Sequence, residues 1–457
     1  MINIKSDSRK VKKGDIFVAL DGINSNGSCY IQNAIEAGAK KIVCKQGNFN
    51  VETINVKDPK KYLTDYLVSN YNKYLSSMTI IGITGTNGKT TTAYLIYQML
   101  NNMGLKCAYI GTIGFYLEKK ICNLPNTSPD TCDLYDMFMK AYENKFKYIV
   151  IEVSSQGLSY NRFDGIRFDY AIFTNLTMDH LDFHKTMENY AKAKQKLFLS
   201  LKESGVGIVN IDSKYNEYFN CKKKVSYGIQ DGDYQVPYYK LTENNTFIEF
   251  KHDNKIYKFT YPLIGKYNIY NMLASLSLID QLKIDINKID FNKIKSPSGR
   301  MEKIKYKDNV IVIDYAHTPD AMENLYKTIL PLAKGSVITV FGCTGSREKD
   351  KRPIMMSLAC ENSSYVYVTS DDLHEEKFED IVNDMLPGAT RNNFKVVSNR
   401  GLAIKEAFLS LKEKDMLLIL GKGHEEFIVV GNKKIPFNDH NEILKLIKSS
   451  NTVDTLL

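Results

Sequence analysis

The chain has 457 residues, a hydrophobic fraction of 43%, a charged fraction of 25% and a formal net charge of +9, which is too long for one ordinary core and ordinary in composition for two or three soluble domains. No apolar run approaches the roughly 18 residues of a membrane span, and the charged start MINIKSDSRKVKK has no apolar signal core, so a cytoplasmic protein without a membrane span is expected. The eight cysteines show no CxxC spacing and no block of five like charges occurs, which argues against a zinc site, a disulfide framework and a nucleic-acid partner.

Residues 1–77 read as a small α/β unit: GDIFVAL and KKIVCK are strand-like around the helical YIQNAIEAGA, and the polar NKYLSS closes it. From 78 to 296 the strands IIGIT, AYIGTIG, YIVIEVSS, YAIFTNL and GVGIVNI alternate with helical segments, the signature of a parallel sheet covered on both faces. Within it, residues 225–262 are tyrosine-rich and alternating, which predicts a small antiparallel insertion. After KSPSGR the strands NVIVIDYA, SVITVFG, YVYVTS, FKVVS and DMLLILG predict a doubly wound, Rossmann-like domain over 297–457. The fold class is therefore α/β in three domains.

The stretch GITGTNGKTT (82–91) sits between a buried strand and a helix. Such a turn offers free backbone N–H groups and the positive end of a helix dipole to a phosphate. Lys89 is placed for the β and γ phosphates, and Thr90 or Thr91 for a magnesium ion. The common phosphate-loop pattern needs glycine where this chain has Ile83, and the string alone leaves a GTPase, an ATPase and a kinase open. Glu152 ends an apolar strand where open α/β sheets bind their ligands; as a carboxylate it suits the same magnesium. The next strand ends in Asn175, Asp179, His180, Asp182 and His184. Lys192, Lys194 and Lys196 follow in NYAKAKQKLF, either as a basic helix face or, after addition of CO2 to one of them, as a carbamate able to bind magnesium.

Taken together, GTNGKTT, EVSS, FTNLTMDHLDFH with YAKAK, GKYNIYN, GRME, DYAHTPDAM, FGC with KRP, and GKGHEE resemble the Mur ligases, over nearly the whole chain. Within that family they are most similar to the branch that adds the third amino acid to UDP-N-acetylmuramoyl-L-alanyl-D-glutamate in peptidoglycan synthesis. The resemblance implies three domains: UDP-sugar-binding (1–77), ATP-binding with a P-loop (78–296) and amino-acid-binding (297–457). It implies an ATP-dependent ligase, acting as a monomer, that activates a carboxylate as an acyl phosphate and joins it to an amine. Gly85, Thr86, Asn87, Gly88, Lys89, Thr90 and Thr91 would hold the triphosphate. Thr90, Glu152 and His180 would surround magnesium, and Lys194 matches the family's carbamylated lysine. Asn268 and Asn271 would meet the adenine side, Arg300 the phosphates and Asp314 the ribose, with His317 in the same string.

The same resemblance assigns the UDP end to Ser8, near Arg9, and the muramoyl-peptide part to Thr127, Ser128, Ser154 and Arg162. Arg347, Asp371, Asp372, His374, Gly421 and Glu425 would receive the diamino acid. Several positions depart from the family pattern. Gln156 stands where histidine is frequent, Thr344 and Ser346 where glycine and aspartate are, and DDLH replaces the DNPR string whose arginine binds the distal carboxylate of meso-diaminopimelate. With His374 in that place and Asp371, Asp372, Glu375 and Glu376 around it, the reading favours L-lysine or a related diamino acid, with meso-diaminopimelate as the alternative. These departures also leave room for a paralogue with altered substrate. A switch-type GTPase or ATPase wants a basic patch on one face, which is not evident, and EVSS, DYAHTP and GKGHE argue against a D-alanyl-D-alanine-adding enzyme or a folylpolyglutamate synthetase.

Overall fold

A computed structural model describes residues 2–22 and 26–454. In the N-terminal region four parallel strands, Ile4–Lys5, Ile16–Val18, Lys41–Cys44 and Glu52–Asn55, lie side by side in chain order. Strand alternation gives them two faces. Phe17, Ile42 and Cys44 pack with Ile31 and Ala34 on one face, whereas Ile4, Ile16, Val18 and Val43 share a core with Ile80, Tyr135 and Phe138 of the central region. A helix not read from the sequence, Pro59–Leu75, joins the two. Asp58 caps it by accepting from the Lys61 N–H, Pro59 starts it, and Leu63, Leu67 and Leu75 are its buried stripe. It takes up most of NKYLSS.

The central sheet is built around Thr79–Thr84. Tyr148–Glu152 and then Cys107–Gly111 lie on one side, and Phe168–Phe173, Leu201–Asn210 and Lys224–Gly228 on the other, all parallel. Two expectations are corrected. The stretch AYIGTIG is not one strand but a hairpin, turning before Gly114 so that Gly114–Tyr116 pairs antiparallel with Cys107–Gly111. The supposed insertion at 225–262 begins within the parallel strand Lys224–Gly228, with which Tyr234–Leu241 also pairs parallel, and antiparallel pairing starts only where Thr246–His252 and then Lys255–Tyr261 extend the same sheet. Alternation reports one-sided burial, not the direction of the neighbouring strand.

The C-terminal sheet runs in the order Glu302–Tyr306, Asn309–Asp314, Met416–Leu420, Val337–Phe341, Tyr365–Val368, Phe394–Val396, parallel apart from the first strand. In both large sheets a late strand returns beside an early one. The crevice opened by that reversal lies at the carboxyl ends of the strands, where open α/β sheets bind ligands. In the central sheet it falls beyond Thr84, Glu152 and Phe173; in the C-terminal sheet it falls beyond Asp314, Phe341 and Leu420. Among the described residues no helix is long and apolar enough to cross a membrane.

Candidate active site

Beyond Thr84 the chain turns through Gly85 (φ +151°) and Gly88 (φ +87°) into the helix Lys89–Asn102. Both glycines are required, because a Cβ on Gly85 would lie 1.9 Å from Thr174 Oγ1 and one on Gly88 2.4 Å from Asn271 Oδ1. Lys89 Nζ donates to the Gly85 and Thr86 carbonyls at 2.9 and 2.8 Å. Thr86 is engaged by Thr177, and the Asn87 N–H donates to Asn175 Oδ1.

The Glu152 side chain is fully buried yet satisfied. Its carboxylate accepts from the Tyr109 hydroxyl, from the Thr112 N–H and hydroxyl, both at 2.9 Å, and from Thr90 Oγ1 at 2.8 Å. The sequence gives no sign of Tyr109 and Thr112 as site residues; Tyr109 comes in from the strand beside Glu152 and Thr112 from the turn that follows it. Thr90 and Glu152 thus set hard oxygen donors at the phosphate loop, a fit for magnesium.

Lys194 lies 1% exposed and donates to the Gly85 carbonyl at 2.8 Å, sharing that oxygen with Lys89. Burial, reinforced by Lys89, pulls its ammonium well below the ordinary lysine range. Burial also holds His180 down to about 4, with Lys194 and Lys89 acting in the same sense against the pull of Asp179, 3.3 Å away. Its imidazole is neutral at pH 7 and fit to ligate a metal. The polar group behind YAIFTNL divides. Asp179 and His180 face the loop, whereas His184 stacks on Tyr190 and binds Ser155 Oγ at 2.9 Å, and Asp182 is exposed.

A cleft of about 530 Å³ opens beside the loop, lined by Gly88, Thr91, Asn268, Asn271, Arg300 and Asp314 together with Asp320 and Asn324 of the C-terminal domain. Asn271 donates to Asn268 Oδ1 at 3.0 Å, which fixes both amides. Arg300 reaches Thr90 Oγ1 at 3.5 Å and lies over the Tyr315 ring, and its Nε is buried without a partner. Asp314 accepts from the N–H groups of Met301 and Ala316 at 2.6 and 2.8 Å. Asn87 donates to Asp320 Oδ2 at 2.7 Å, tying the loop to the C-terminal domain.

In the C-terminal crevice Asp371, Asp372, Gly421 and Glu425 come together around Lys422, which the sequence reading passed over. Lys422 Nζ lies 2.6 Å from Glu425, 2.8 Å from Asp372 and 3.7 Å from Asp371. Glu376 is paired with Arg352 at 2.5 Å and Lys349 at 3.2 Å. The acidity that favoured L-lysine in the sequence is therefore met largely by the protein's own cations. His374 is held at φ +50° by backbone bonds to Val429 and Gly431. Arg347 sits on an exposed turn.

Ser8 and Arg162 line a separate pocket of about 840 Å³ between the N-terminal and central regions, with Lys45 and Lys60. Arg162 donates to the Ser128 carbonyl at 2.6 Å and pairs with Asp130 at 3.0 Å. Arg9 is turned to solvent beside Asp7. Thr127 meets Thr112 at 3.1 Å, while Ser128 and Ser154 fasten the turn after Glu152.

Three family models match in succession: Mur ligase family, catalytic domain (residues 2–79), Mur ligase middle domain (83–279) and Mur ligase, glutamate ligase domain (299–423). The UDP-N-acetylmuramoyl-L-alanyl-D-glutamate--2,6-diaminopimelate ligase 1 of Clostridium acetobutylicum is 38% identical over 98% of this chain and 94% of its own. The corresponding ligase of Fusobacterium nucleatum is 37% identical, covering 95% and 92%. A solved structure of a ligase of that name aligns with a TM-score of 0.68 at 28% identity, over 98% of this chain and 95% of its own. The MurF ligase of Thermotoga maritima in complex with ADP, at 18% identity, a TM-score of 0.71 and coverage of 98% and 97%, shares the fold. Fold and site together define an ATP-dependent acid–amino-acid ligase of three α/β domains. The chain belongs to the Mur ligase family. The names of its relatives favour diaminopimelate, the alternative in the sequence reading, over L-lysine.

Proposed function

We propose that this ligase joins meso-diaminopimelate to UDP-N-acetylmuramoyl-L-alanyl-D-glutamate in peptidoglycan precursor synthesis. The observation that carries the reading is the approach of Arg300, from the C-terminal domain, to Thr90 of the phosphate loop at 3.5 Å, which sets a nucleotide cleft against an amino-acid crevice. The full-length likeness to ligases of that name supports the substrates.

The cleft lined by Asn268, Asn271 and Asp314 takes the nucleoside, and Lys89 leaves its carbonyls for the phosphates. The muramoyl-peptide lies between Ser8 and the Thr127, Ser128, Ser154 and Arg162 group. A carboxylate of the D-glutamate residue of that peptide attacks the γ-phosphorus, ADP departs, and the amine of the amino acid displaces phosphate from the acyl phosphate. Lys89 and Arg300 stabilise the charge that builds up in the first step. Magnesium, held by Thr90, Glu152 and His180, supplies further charge neutralisation when bound. Lys194, held towards its neutral amine, adds CO2 and releases a proton to become a carbamate. Asp371, Asp372, His374, Gly421, Glu425 and Arg347 receive the diamino acid.

The test is phosphate release with ATP, magnesium and the UDP-dipeptide, offering meso-diaminopimelate, L-lysine and L-ornithine at equal concentration. Stimulation chiefly by meso-diaminopimelate, with the tripeptide as product, is expected. Stimulation by none of the three, with ATP still bound, overturns the substrate assignment.

A further inference from the structure

The Lys422 side chain has no exposed surface, and its ammonium reaches three carboxylates at 2.6, 2.8 and 3.7 Å. Those carboxylates bring one oxygen each to within 4.8 Å of one another, the geometry of a cation cage. In this chain the protein's own ammonium occupies that place. The cage is also layered: the side chains of Asp372 and Glu425 are 13% and 25% exposed, while Lys422 is behind them. Asp372 is pinned further by the Val429 N–H at 2.8 Å, and a Cβ on Gly421 would lie 2.5 Å from Asp371 Oδ2. The nearby Arg400 cannot substitute for Lys422, since it is committed to Asp439 at 2.7 Å and to the Leu420 carbonyl at 2.9 Å.

We propose that Lys422 is a specificity-determining positioning residue: a built-in cation that offsets part of the negative charge of the carboxylates of the amino-acid crevice and so disfavours a substrate side chain ending in a bare ammonium relative to one ending as a zwitterion. The inference rests on the diamino-acid reading above. Three carboxylates without Lys422 form an unbalanced anionic site, and the ε-ammonium of L-lysine or the δ-ammonium of L-ornithine is the cation such a site attracts. The zwitterionic end of meso-diaminopimelate carries a carboxylate that the same site repels. With Lys422 present one of those three negative charges is cancelled at its source. At partly exposed positions a unit charge several ångströms away changes the ratio of the two substrates by on the order of tenfold.

The experiment measures kcat/KM for L-lysine and for meso-diaminopimelate on wild type, Lys422→Met and Lys422→Arg, each as the full chain. The ratio of the two constants is taken within one preparation, so a loss of folded enzyme cancels. Lys422→Met is expected to raise the lysine-to-diaminopimelate ratio about tenfold, with Lys422→Arg, which keeps the charge, near wild type. A ratio within about twofold of wild type in Lys422→Met overturns the proposal, as does an equal rise in both variants. If Lys422→Met does not fold, Asp372→Asn decides, because removing one carboxylate must lower the same ratio; an unchanged or higher ratio overturns the proposal. Wild type stimulated by neither amino acid brings down the diamino-acid reading itself, a result distinct from an unchanged ratio.

Discussion

Glu152 keeps a carboxylate where no water reaches it, and four donors from three residues make that tolerable. Thr112→Val deletes one of those donors while keeping the shape, and is expected to cost about 1–3 kcal/mol of stability, read from denaturant midpoints. Lys194 is the complementary case, a buried amine with no carboxylate partner within the bonds it makes. Lys194→Arg, whose guanidinium does not take up CO2, is expected to lower the rate of ATP-dependent ligation by at least about a hundredfold, and CO2-depleted wild type to recover on addition of bicarbonate. An unaffected rate in both assays removes the carbamate from the mechanism. Burial also holds His184 and His317 down to about 4, against an ordinary value of 6.5. The unfolded chain takes up these protons first as pH falls. Their contribution to stability is thus whole above about 6.5 and lost as pH drops towards 4. Urea midpoints at pH 7.5 and 5 should show the fall, and His184→Gln should flatten it.

At the scale of elements, the strand Thr79–Thr84, the turn and the helix Lys89–Asn102 form one device, and its backbone conformation is set by two glycines. Gly88→Ala places a Cβ against Asn271 Oδ1 at a position with φ +87°. It is expected to weaken ATP binding at least about tenfold, since strain at such a site costs of order 1–3 kcal/mol, with circular dichroism unchanged; calorimetric titration with ATP checks it. The device was legible because the glycines, Lys89 and the threonines are contiguous. The hairpin at Gly114 was not, because AYIGTIG carries the same apolar run whether it continues or turns back. The helix Pro59–Leu75 shows its leucine stripe and its Asp-Pro start only when the window is long enough to display both.

Across the whole molecule the three regions are joined unequally. The N-terminal strands share a hydrophobic core with the central sheet, reinforced by Lys10 on Asp133 at 2.6 Å and the Ile2 N–H on Asp136 at 2.8 Å. The C-terminal core takes Ile264 as its buried contribution from the central domain. Calorimetry should therefore resolve two unfolding transitions, the N-terminal and central regions melting together and the C-terminal domain apart; three transitions would contradict this. The Asn87–Asp320 bond spans the nucleotide cleft between the less firmly joined parts. Asp320→Ala is expected to raise the Kd for ATP by about two- to tenfold, the worth of one such bond.

The sequence by itself determined the α/β class, the family, the phosphate loop and the strand that carries Glu152, because contiguous motifs and hydrophobic period are local properties. What Glu152 rests on, which acids in DDLHEE remain unpaired, and which lysine neutralises them were decided only by the tertiary structure. Asp372 and Lys422 are 50 residues apart yet bonded, and Arg352 reaches Glu376 across 24. A charge read in sequence carries no record of its partner. The acidic string therefore suggested a site for an ammonium, where the fold had already supplied one.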